Sequence, residues 1–119
     1  MQFGAPGIVP GAAIRSSAAD MARFMIAHLQ NGELDGRRIL QEETALQMHS
    51  QLYTPDPRLP SGMAHGFLEG AVNGQRILWH DGSLITFLSA LYLIPGQDVG
   101  LFISTNSTSG AATIRAFDD

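Results

Sequence analysis

The sequence predicts a mixed α/β fold of the α+β kind, an antiparallel sheet flanked by helices. Three observations predict it. Gln75 to Asn106, QRILWHDGSLITFLSALYLIPGQDVGLFISTN, reads as three successive strands, with His80-Asp81-Gly82 at the end of the first. Within it, Leu84 to Ile94 is apolar on both alternating faces, so this strand should be covered on both sides. Upstream, Met21, Phe24, Met25, His28 and Leu29 recur at helical spacing on one face.

The elements follow in order. Met1 to Ile14 is rich in Gly, Pro and Ala without periodicity, and reads as a leading loop. Ser17 can cap the first helix, and Asp20 can answer from three residues on, near the positive helix pole. Gly32 sits in the usual stop position. Gly32 to Arg38 is turn-rich, and a second helix of about Glu42 to Gln51 should turn Ala45, Met48 and Leu52 inward. Pro55, Pro57 and Pro60 make Tyr53 to Gly62 an irregular excursion. Asn73-Gly74 lies between two β-like runs, Gly66–Val72 and Gln75–Trp79, and is a strong hairpin signal because both residues accept positive φ. Pro95 to Asp98 supplies a turn, Val99 to Ile103 an antiparallel return, and Ala111 to Phe117 the start of a last helix. The helices are few for a sheet buried on both faces, so uncovered sheet surface should favour self-association.

Composition narrows the function. The 119 residues carry a net charge of −4 and no basic cluster, which argues against a nucleic-acid or anionic-membrane partner. No apolar run reaches the ~20 residues that span a bilayer, and the first residues do not form a signal peptide. Compartment is left open. Cysteine is absent, excluding disulfides, thiol nucleophiles and thiolate metal sites. Lysine is absent too: all seven basic residues are arginines, which stay protonated, leaving histidine as the basic side chain able to serve as a general base.

Candidate chemistry centres on His80-Asp81-Gly82-Ser83. A self-contained Ser-His-Asp triad is disfavoured, because adjacent side chains on a strand point to opposite faces. No Gly-x-Ser-x-Gly elbow occurs. His28, His49, His65 and His80 lack metal-site spacing, and no phosphate-binding glycine loop is present, so no cofactor is expected.

Three segments carry a resemblance: SSAADMARFMIAHL (Ser16 to Leu29), GRRILQEETALQMH (Gly36 to His49) and WHDGSLITFLSALYLIPGQDVGLFISTN (Trp79 to Asn106). Their content and order resemble the C-terminal part of the serine β-lactamase and penicillin-binding-protein-like hydrolases, which include class C β-lactamases, esterases and D-aminopeptidases. The resemblance implies that residues 1–119 form a single partial domain of the β-lactamase/transpeptidase-like fold. In that family a Lys/His-x-Gly tripeptide lines the cleft, and His80-Asp81-Gly82 is similar to it. By that match His80 and Asp81 would contact substrate, His80 assisting proton movement or binding an anionic group. Gly82 would let substrate approach the strand, and the Ser83 N–H would be one of two oxyanion donors. Thr86 stands where the family commonly has glycine before a phenylalanine, here Phe87.

The family nucleophile comes from Ser-x-x-Lys, and this chain contains no lysine. Its second motif, Tyr-x-Asn, is matched neither at Tyr53-Thr54-Pro55 nor at Tyr92-Leu93-Ile94. Both motifs are expected upstream of Met1, and truncation is expected at the other end too. The resemblance therefore implies one wall of an acyl-transfer site acting on a β-lactam, ester or peptide as its small-molecule substrate, and an isolated chain without activity. The alternative is a non-catalytic binding or assembly module on the same scaffold.

Overall fold

The structure, a computed structural model, describes residues 14–84, 86–107 and 109–115. The leading loop, apart from Ile14, lies outside them, as do Ile85, Thr108 and Ala116-Phe117. Helix α1 (Ala18–Leu29) opens as expected: the Ser17 hydroxyl accepts from the Asp20 N–H and donates to its carboxylate at 2.7 Å. It ends in a Schellman motif. Asn31 takes the left-handed conformation, and the Asn31 and Gly32 N–H groups return to the His28 and Ala27 carbonyls. Gly32 is needed one residue later than a simple stop requires, because a Cβ there would lie 2.6 Å from the Leu40 carbonyl oxygen.

A short arm, β1 (Glu33–Leu34) with β2 (Arg37–Arg38), leads to α2 (Glu42–His49). This second helix is shorter than expected. It stops at His49, which is buried with Ala45, whereas Leu52 lies beyond its end and is exposed. The reason is local: Ser50 leaves the helical region and its hydroxyl bonds back to the Gln47 carbonyl.

The remaining strands form one antiparallel meander in chain order: β3 (Gly62–Met63), β4 (Leu68–Val72), β5 (Gln75–Leu84), β6 (Phe87–Ile94) and β7 (Val99–Thr105). Asn73 and Gly74 both have positive φ and close the β4–β5 hairpin at Val72↔Gln75. Gln75 to Asn106 does hold three strands, but the boundaries shift. Leu84 ends β5 by pairing with Phe87 instead of opening the next strand, so His80–Gly82 lies inside β5 rather than at its end.

One face of the sheet meets α1. Leu78, Leu91 and Leu93 pack with Met25, Ala64 and Phe67 into the main core cluster. Alternation sends Trp79, Ala90 and Tyr92 to the other face, where the Trp79 and Tyr92 rings stack and α3 (Gly110–Arg115) packs on β6. Ala90 through Leu93 is buried without a break, the double-sided cover expected for this strand. Cover ends at the sheet margins, where Leu84, Phe87, Val99 and Leu101 are exposed. No helix among the described residues is long and apolar enough to cross a membrane.

Candidate active-site wall

β5 has two neighbours along its first half and one along its second. The β4 pairing ends at Leu68↔Trp79, whereas the β6 pairing runs unbroken from Leu78↔Leu93 to Leu84↔Phe87. Among the described residues no strand pairs with the outer side of His80–Leu84. The polar groups of alternate residues point to opposite sides of an antiparallel strand. The hairpin pair Val72↔Gln75 directs Gln75, Ile77 and Trp79 toward β4, so Arg76, Leu78, His80, Gly82 and Leu84 bond β6. By the same alternation the backbone N–H and C=O groups of Asp81 and Ser83 face the open edge.

The edge is put to use at His80. Its ring Nδ1 lies 2.6 Å from the Asp81 carbonyl oxygen. A carbonyl only accepts, so Nδ1 carries the proton of this contact, and Nε2 is the ring nitrogen it does not engage. The partner is the backbone of Asp81 and not its carboxylate. His80, Asp81, Gly82 and Ser83 are all exposed.

Side chains divide by face. His80 and Gly82 share the face of Leu78, and a Cβ at Gly82 would come 3.0 Å from the Ser89 hydroxyl across the ladder. Asp81 and Ser83 lie on the other face, and with Gly82, Leu88, Ser89, Ala111 and Ile114 they line a cavity of about 190 Å³. His80 does not line it. The structure thus brings Asp81, Gly82 and Ser83 to one small cavity and leaves His80 outside its lining. A larger hollow of about 440 Å³ lies away from this strand, against Leu34, Arg37 and Ile39. Its Arg23 and Asp35 pair with each other at 2.9 Å, and nothing links it to the tripeptide.

Two histidines that look unrelated in sequence meet in space. His28 Nδ1 and His49 Nε2 are 2.9 Å apart and buried. Burial first, and His49 second, push the His28 pKa down to about 4. Burial and then the Arg76 guanidinium lower that of His49. The one available signal, the apolar-face position of His28, carries no information about a partner 21 residues on. Among the described residues no three of His, Cys, Asp or Glu converge as metal ligands would.

Comparisons with known proteins bear on the fold and the family. The octameric penicillin-binding protein homologue from Pyrococcus abyssi superimposes with a TM-score of 0.67 at 19% identity, over 81% of this chain and 23% of that one. SurE superimposes with a TM-score of 0.57 at 22% identity, over 77% of this chain and 22% of that one. At such identities the similarity is one of fold, and this chain spans about a quarter of either structure's length. No curated protein matches the sequence. The β-lactamase family model matches residues 1–117, nearly the entire sequence, and the antiparallel sheet with its flanking helices agrees with it: the chain belongs to the β-lactamase family.

Proposed function

We propose that His80–Ser83 is one wall of the acylation site of a β-lactamase-like serine hydrolase. The observation that supports this best is the unpaired outer edge of β5 beyond Trp79, with the Ser83 N–H directed out of the ladder. A rigid strand amide needs no reorganisation to receive an oxyanion, which is what makes such donors effective. Gly82 keeps the strand slim beside it. His80, whose Nε2 is not engaged by that contact, binds an anionic substrate group through Nε2–H when the ring is protonated and accepts a proton there when it is neutral. Asp81 is a substrate contact on the cavity side. The substrate is a β-lactam, a carboxylic ester or a short peptide. The attacking serine belongs to a Ser-x-x-Lys segment that this sequence does not contain.

The test uses a protein in which an upstream Ser-x-x-Lys segment joins this chain. A chromogenic ester and a chromogenic cephalosporin should be turned over, with inhibition by a serine-directed phosphonate. Ser83→Pro removes the amide hydrogen and should lower kcat by roughly 10²–10³-fold, while Ser83→Ala, which keeps the N–H, should change it little. Equal rates for the two variants would sink the reading. Turnover by the 119-residue chain alone would sink it as well.

An assembly module on the same scaffold is the second reading. The exposed Phe87, Val99 and Leu101 at the sheet margin favour it, and the Pyrococcus abyssi relative is itself octameric. A sharp monomer peak by light scattering, with no acyl-enzyme in the extended protein, would remove both readings together.

A further inference from the structure

The end of α2 is held by polar contacts in an apolar setting. Only Ala45 and His49 of this helix are buried. Around its last turn, His28 of α1 meets the His49 ring, the His65 N–H donates to the Met48 carbonyl, and the Arg76 guanidinium of β5 donates to the His49 carbonyl. Phe67 packs edge-on against both imidazoles, and Phe24 against His28. The charged groups facing the pair are Arg76 and, bound to it, the buried carboxylate of Glu69 on β4, which also accepts from Gln51 at 2.9 Å. α1 adds no carboxylate here, since Asp20 sits in its first turn, and on β1 Glu33 is taken by Arg38.

Two ring nitrogens at hydrogen-bond distance hold one proton between them: one donates, the other accepts. A second proton would set two N–H groups against each other. Even a single added charge is opposed by burial and by Arg76, since Glu69 is already paired. We infer that the His28–His49 contact is an acid-released clasp, which holds the end of α2 against α1 at neutral pH and lets it go as the surroundings acidify.

The sign follows from linkage. The closed state holds the histidines below their ordinary pKa, while an opened helix returns them to about 6.5. The clasp is therefore complete above about pH 6.5 and weakens as pH falls toward about 4, the value for His28. From that value alone, opening should become roughly thirtyfold more favourable between pH 7.5 and 5, and more with His49 included.

Hydrogen exchange on the full chain tests this. Protection factors of the α2 amides, corrected for intrinsic rates, should fall at least roughly thirtyfold across that range, while those of β6 hold. His28→Gln combined with His49→Gln keeps hydrogen-bonding side chains without either titration and should retain most α2 protection at pH 5. That result would assign the loss to the imidazole and not to Glu69. Nitrogen-15 NMR of the unmodified protein covers the case of a variant that does not fold: one bridging N–H and two depressed titrations are expected. Both histidines titrating near pH 6.5, or α2 and β6 losing protection in step, would overturn the proposal. Hydrolase activity enters none of these readouts.

Discussion

The two halves of β5 differ in one thing, the presence of β4. Beside β4, Ile77 to Trp79 is buried or half-buried and Leu78 is fully buried. Beyond it, every residue from His80 to Leu84 is exposed. The change comes where β4 begins. The chain reaches Leu68 through a tight turn in which the Ala64 N–H bonds the Phe67 carbonyl and Gly66 takes a φ of +85°. That turn carries the backbone away, so no described residue pairs outside His80. A single extended segment is thus core around Leu78 and open edge from His80 on. The lesson is that site geometry in this sheet depends on where a neighbour stops, more than on the strand that carries the site residues.

The comparison breaks most severely in the buried half. Leu78→Ala and Leu93→Ala remove side chains with 0% exposure on facing strand positions. Each should cost about 3–5 kcal/mol of unfolding free energy in urea titrations, enough to unfold a small domain of ordinary stability. Next comes Glu69→Ala, which leaves Arg76 without its carboxylate and Gln51 without its acceptor. Because Arg76 is partly exposed, the cost should be about 2 kcal/mol, less than for a fully buried pair. Gly100→Ala tests the α1 side: its Cβ would meet Met25 Sδ at 3.0 Å and Cβ at 3.1 Å, for a loss of about 1–2 kcal/mol. Gly74→Ala forces a side chain to a φ of +75° in the hairpin that sets the β5 register. Open space surrounds that position, so backbone strain alone, about 1 kcal/mol, should appear.

What could be read in advance follows the range of the interaction. Ser17 with Asp20, Asn73-Gly74 and the apolar run Ala90 to Ile94 of β6 are local patterns, and each appears in the structure where the residues put it. Boundaries were less legible. Leu84 looks like the first residue of an apolar strand, yet it closes the previous one, because the ladder from Leu78 to Leu84 continues until Phe87 can pair. Leu52 looks like a core helix residue, but Ser50 ends the helix before it. The His28–His49 contact is invisible in sequence because neither histidine's own helix specifies the other. The open edge at Ser83 is equally hidden, since it depends on the starting point of β4 and not on residues of β5.

The smallest effect on stability is expected where the function is proposed. His80→Gln replaces a side chain that is exposed and, among the described residues, bonds its neighbour's carbonyl alone, at 2.6 Å. Its unfolding free energy should stay within about 0.5 kcal/mol of the unmodified chain, the range of an ordinary surface change. If His80–Leu84 were instead part of the core, this substitution would approach the cost at Leu78, two residues earlier on the same face. A loss of about 2 kcal/mol or more in urea titration would erase the contrast between the two halves of β5. A near-zero change, together with a lower kcat in the extended protein if it turns over substrate as proposed, would mean that the strand holds His80 in place without relying on it. That combination separates a residue kept for chemistry from one kept for folding.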